Sequence, residues 1–127
     1  MTAVLNHTII PSSDKHASAA FLVGILGLDQ PRAWGPFLAV TVGNDVTLDF
    51  DDQTGFESHH YAFLVDDDEF DPIFDRIKAS GHPYYADPFR QQRGEINHHD
   101  GGRGVYFDDP DNHLMEVITR PYGAERG

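Results

Sequence analysis

The strongest constraint on this chain is that one order of elements occurs in it twice. Alternating apolar residues (period two) give way to helical spacing and then return to alternation, once from about residue 3 and again from about residue 59. The first copy opens with a strand over Ala3–Ile10 and a turn, Pro11-Ser12-Ser13-Asp14, in which Asp14 is placed to cap a helix. That helix is read over residues 15–26, with Ala17, Ala20, Phe21, Gly24, Ile25 and Leu28 as its apolar stripe and Gly27 as its stop. A stretch punctuated by Pro31, Gly35 and Pro36 leads to strands Phe37–Val42 and Val46–Asp51, joined by the turn Gly43-Asn44-Asp45. The second copy opens with His59–Val65. A helix over 68–80 follows, with Phe70, Ile73, Phe74 and Ile77 at helical spacing, Pro72 tolerated in its first turn and Gly81 closing it. A long polar segment, 82–102, precedes strands Gly104–Asp108 and Leu114–Thr119, with the turn Asp109-Pro110-Asp111-Asn112 between them.

A half of about 55 residues is too small to cover both faces of its own sheet. The expected fold is therefore α+β: one domain over 1–127, with module one at about 3–54 and module two at about 58–120. The two halves are expected to build one curved mixed sheet, helices outside and a cup inside.

Charge narrows the partners. Nine Lys and Arg stand against 21 Asp and Glu, a net charge of −12. That field repels phosphate backbones and anionic lipid, so neither nucleic acid nor a membrane is an expected partner, and cations are favoured. No apolar run reaches the length of a membrane span, and the N-terminus lacks the pattern of a signal peptide. A cytoplasmic location is expected. Cysteine is absent and histidine occurs eight times, so a transition-metal site here must use imidazole and carboxylate.

The two-residue strand period places such groups. Leu5, His7 and Ile9 share one face of the first strand; His60, Ala62 and Leu64 share a face of the strand opening the second half; Leu114, Glu116 and Ile118 share a face of the last. Each face carries one metal-competent group among apolar neighbours, and isolating such a group there is costly unless something pairs with it. A divalent ion is a common solution, because two His and one carboxylate form a facial triad with open positions. Overlaying the halves puts Asp49 where Glu116 lies, as a fourth ligand or a partner to bound water or substrate.

The segments LNHTII, HHYAFLVDDD and above all GVYFDDPDNHLMEV resemble the vicinal oxygen chelate superfamily, which groups glyoxalases, bleomycin-resistance proteins and extradiol dioxygenases. The resemblance covers about residues 3–120. It implies two βαβββ modules around a metal cup, with His7, His60 and Glu116 as ligands of a divalent ion (iron, zinc, nickel or manganese). His60 rather than His59 matches, because it precedes the x-Ala-Phe pattern. The resemblance also implies a homodimer and a small substrate that chelates the metal through neighbouring oxygens. Tyr106 lies where ring-cleaving relatives carry a substrate-bonding Tyr, and His98 and His99 lie near their acid–base His.

Dioxygenase-type chemistry is placed first. The alternatives are a glyoxalase-like lyase or isomerase, with Asp49 ligating, and a non-catalytic protein that sequesters a cationic drug. A fosfomycin-modifying transferase ranks lower, because a dianionic drug meets an acidic protein. Arg103 is read either as a clamp for a substrate carboxylate or as a salt-bridge partner of one of the acids. His113 is read as bonding backbone in its turn. Trp34 is read as a core or dimer contact, and Asp66–Asp71 as a solvated helix start, because it lacks the Gly and the distal Glu of a calcium loop.

Overall fold

A computed structural model describes residues 2–123. The chain divides between Glu57 and Ser58 into two compact units, each a βαβββ module of the α+β class. In the first unit, β1 (His7–Ser12) leads into α1 (Lys15–Leu26), followed by β2 (Arg32–Trp34), β3 (Phe37–Thr41) and β4 (Thr47–Asp52). The sheet order is β1-β4-β3-β2, with β1 parallel to β4 and the other pairs antiparallel. The second unit repeats this with β5 (His60–Leu64), α2 (Asp67–Ser80), β6 (Tyr84–Tyr85), β7 (Gly104–Asp108) and β8 (Leu114–Ile118), in the order β5-β8-β7-β6. Among the described residues no helix is long and apolar enough to cross a membrane.

Local chemistry fixes the elements. Asp14 caps α1 by accepting from the backbone N–H groups of His16 and Ala17 at 3.0 and 3.3 Å. Gly27 ends α1 in the left-handed conformation, with φ of 71°. At the start of α2 the Glu69 carboxylate accepts the Asp66 N–H at 2.9 Å. Ile10, Leu22, Leu48 and Phe50 are fully or nearly buried in the first unit; Phe70, Ile77, Phe107 and Val117 are fully buried in the second.

Several details depart from the sequence reading. Each module hydrogen-bonds its strands into a four-stranded sheet of its own, rather than sharing one sheet. β1 starts at His7, because its parallel partner β4 begins opposite it at Thr47. β1 also runs through Pro11, which an edge strand tolerates. The buried face of α1 is Ser18, Ala19, Leu22, Val23 and Ile25, while Ala17, Ala20 and Gly24 are exposed. This helix is apolar nearly all round, so two stripes compete, and the one with the larger aliphatics wins. Pro72 is the sixth residue of α2, beyond its first turn, so one helical N–H is missing there. Finally, β2 and β6 lie in the stretches read as loops, being three and two residues long.

Candidate metal centre

The second unit brings His60 and Glu116 together. In the β5–β8 pairing His60 lies opposite Leu114 and Ala62 opposite Glu116, so both side chains rise from one face. His60 Nε2 stands 3.1 Å from Glu116 Oε1, and His60 Nδ1 stands 2.9 Å from the Leu114 carbonyl oxygen. A carbonyl only accepts, so Nδ1 carries the proton and donates. In the neutral ring Nε2 then turns a lone pair toward a carboxylate, and the contact is closed either by a second proton, which makes it an ion pair, or by a cation between the two. Two ligands about 2.1 Å from one ion, at a right angle, stand about 3 Å apart. The pair therefore fits a divalent metal, with the Leu114 carbonyl fixing the tautomer from behind.

Tyr106 supports this pair. It sits opposite Glu116 on β7, close enough for the Glu116 charge to act on its hydroxyl, and lies at 5.9 Å and 29° to the His60 ring. Burial first, and then the Glu116 charge, push its ionisation well above the usual tyrosine range. It therefore stays a hydrogen-bond donor. Behind β5, His113 is fully buried and its Nδ1 accepts the His59 backbone N–H at 2.9 Å. Asp109 Oδ1 accepts the N–H groups of Asp111 and His113 at 2.9 and 2.8 Å, which ties the 109–114 turn to the residue preceding His60. His113 thus bonds backbone as expected; its effect on the position of His60 goes beyond the sequence reading.

In the first unit the register is the same. His7 lies opposite Thr47, and Ile9 opposite Asp49, so His7 and Asp49 hold the positions of His60 and Glu116. His7 Nδ1 is 2.7 Å from Asn6 Oδ1, which again leaves Nε2 as the nitrogen with a free lone pair. Asp49 is one methylene shorter than Glu116. Its Oδ1 is buried and has no hydrogen-bond partner among the described residues. His7 and Asp49 line a pocket of about 490 Å³ together with Asn6, Arg32, Trp34, Ala39 and Thr47. Trp34, 71% exposed, is a pocket wall rather than core. Nothing in the sequence marks Arg32, because its place depends on the unrecognised strand β2; Ala39 lies on the expected strand β3 but has no side-chain chemistry to single it out.

Among the described residues no three His, Asp or Glu side chains gather into a metal site. The histidine-bearing faces are open: His7, Ile9, His60 and Leu64 are exposed, so the cost of burial falls on Glu116 and Asp49 rather than on the imidazoles. His98 and His99 are exposed, next to the bridge between Asn97 and Gly104. Arg103 is engaged by α2. It donates to Asp67 at 3.2 Å and to Asp71 at 2.7 Å and lies 4.5 Å over the Phe70 ring, which is the salt-bridge reading.

Residues 4–117 match the family described as the Glyoxalase/Bleomycin resistance protein/Dioxygenase superfamily, and the chain belongs to it. Two solved structures, "Oxidase ChaP-H1" and "Oxidase ChaP-H2", are each 54% identical to it, with TM-scores of 0.93 and 0.94. The first alignment covers 96% of this chain and 99% of that one; the second covers 98% of each. The "Glutathione transferase FosA" of Serratia marcescens is 29% identical over 124 residues, covering 92% of this chain and 81% of that protein.

Proposed function

We propose that this protein is a metal-dependent enzyme in which His7, His60 and Glu116 hold one divalent ion, and that its chemistry is oxidative. The observation that carries this is the His60–Glu116 pair, whose Nδ1-bonded tautomer leaves two lone-pair donors 3.1 Å apart. A divalent ion held there would supply Lewis acidity to a small substrate offering two neighbouring oxygens. Tyr106, beside Glu116, keeps its proton, so it is available to donate to an oxygen of the bound substrate. His98 and His99, exposed beside β7, are the imidazoles proposed to move protons. Arg103 is assigned a structural part.

Oxidative chemistry is favoured over the lyase reading by two points. The two proteins that are 54% identical to this chain are named oxidases. Asp49 is shorter than the Glu that a four-ligand glyoxalase site uses. The lyase or isomerase reading keeps one observation of its own, the buried Asp49 oxygen that lacks a donor and that a metal would satisfy. The active form is proposed to be a homodimer, because Leu5, Ile9 and Trp34 leave apolar surface open on the first unit.

The test loads wild type and His60→Ala with iron(II), and separately with nickel or zinc. Catechols are then assayed under oxygen and a hemithioacetal without it. Iron-dependent oxygen uptake by wild type, absent in His60→Ala, is the expected result. Turnover of the hemithioacetal alone overturns the oxidative reading. Metal-free wild type that binds a cationic drug as well as His60→Ala does would make the protein a binding module.

A further inference from the structure

The two sheets carry the same register but fill it differently. On the face that bears the metal pair, the second unit presents Tyr85 opposite Tyr106, Tyr106 opposite Glu116, and Leu114 opposite His60. Tyr85, Tyr106 and Leu114 pack there as a buried cluster. The matching positions of the first unit are Arg32 opposite Ala39, Ala39 opposite Asp49, and Thr47 opposite His7. All five of these residues line the 490 Å³ pocket. Ala39 and Thr47 thus leave open the places that the Tyr106 ring and the Leu114 side chain fill in the sister unit, while Arg32 stands in the place of Tyr85.

The polar groups left in that space are complementary to one kind of ligand. In the second unit Tyr106 stands opposite Glu116 and brings a phenol beside that carboxylate. In the first, Ala39 stands in the place of Tyr106, and Asp49, only 6% exposed, has an oxygen with no donor among the described residues. A buried carboxylate oxygen left in that state is costly, and a hydroxyl donor removes the cost. Arg32 makes no salt bridge among the described residues, although the chain holds 21 acids. Trp34 follows two residues later on the same face and supplies a flat apolar wall.

We propose that this pocket binds a hydroxylated aromatic acid. The ring takes the place of Tyr106, its hydroxyl donates to Asp49, and its anionic substituent meets Arg32. β2 and β4 are two strand spacings apart, about 10 Å, a span that one ring with groups at opposite ends fills once the long arginine side chain reaches inward. This goes beyond the enzyme reading: the ligand is held by Asp49 and Arg32 and is distinct from a substrate that chelates the metal, so its binding does not require the ion.

Trp34 is the one tryptophan of the chain, so its fluorescence reports this pocket. The probes are 4-hydroxybenzoate, phenol and benzoate, titrated into wild type, Arg32→Ala, Asp49→Asn and His60→Ala, with melting curves to establish that each variant is folded. Saturable quenching by 4-hydroxybenzoate is expected, with phenol and benzoate each weaker by at least about tenfold. Arg32→Ala should lose the preference over phenol, Asp49→Asn the preference over benzoate, and His60→Ala should bind as wild type does. Equal binding of all three probes, no saturable quenching, or wild-type affinity in Arg32→Ala overturns the proposal. So does loss of binding in His60→Ala, which would place the ligand on the metal. Retained binding in His60→Ala upholds the subsite even if the metal-enzyme reading fails.

Discussion

Tyr61 shows how strongly single side chains here depend on their surroundings. It is half-buried, its hydroxyl lies 3.0 Å from His59 Nδ1, and its ring meets His113 edge-on at 5.9 Å. Burial, and then the nearby negative charge of Asp109, push its pKa up to about 12 from the usual 10.0. Tyr85 and Tyr106 are shifted upward as well. Each therefore holds its proton in the folded state at a pH where the unfolded chain releases it. The stability this provides is complete below about pH 10 and is lost as pH rises toward 12. Melting temperatures should fall over that range, and Tyr61→Phe should flatten the fall; parallel wild-type and variant curves would contradict the assignment. At this scale the sequence is informative wherever strand alternation alone decides a side chain's face, as for His60 and Glu116. It is silent on the Nδ1 bond of His60 to Leu114, which depends on a partner 54 residues away.

Elements are legible where local signals agree. Asp14 and Gly27 bracket α1 as expected, and the 43–45 turn closes between Val42 and Val46, with Val42 N–H bonded to the Val46 carbonyl at 2.9 Å. The side of α1 that packs is not legible, because a helix rich in Ala, Leu, Val and Ile offers two faces and only its contacts with β1, β3 and β4 choose between them. Leu22→Ala is accordingly expected to cost about 2–5 kcal/mol, since Leu22 is fully buried. Ala20→Ser, on the exposed side, should cost less than about 0.5 kcal/mol. Chemical denaturation checks both, and a larger loss at Ala20 would restore the stripe read from the sequence. β2 and β6 are illegible for a different reason. Two or three residues are too few to show alternation, and these strands form only because β3 and β7 offer them an edge.

For the molecule as a whole, the repeat is the most informative feature of the sequence, and the structure gives it a functional meaning. Two modules with one register have been filled in opposite ways: the second with Tyr85, Tyr106 and Leu114 packed around a His–Glu pair, the first with a pocket around a His–Asp pair. Duplicate scaffolds allow that division, because a change at one site leaves its counterpart intact. The net charge of −12 suits a cation, while Arg32 provides a local exception for an acidic ligand. The proposed chemistry requires a metal ion held by His7, His60 and Glu116. Anomalous X-ray scattering from crystals of the metal-loaded protein measures this most directly. The account predicts one peak within bonding distance of His60 Nε2, Glu116 Oε1 and a His7 Nε2. A peak elsewhere, or no peak beside the His60–Glu116 pair, would contradict it.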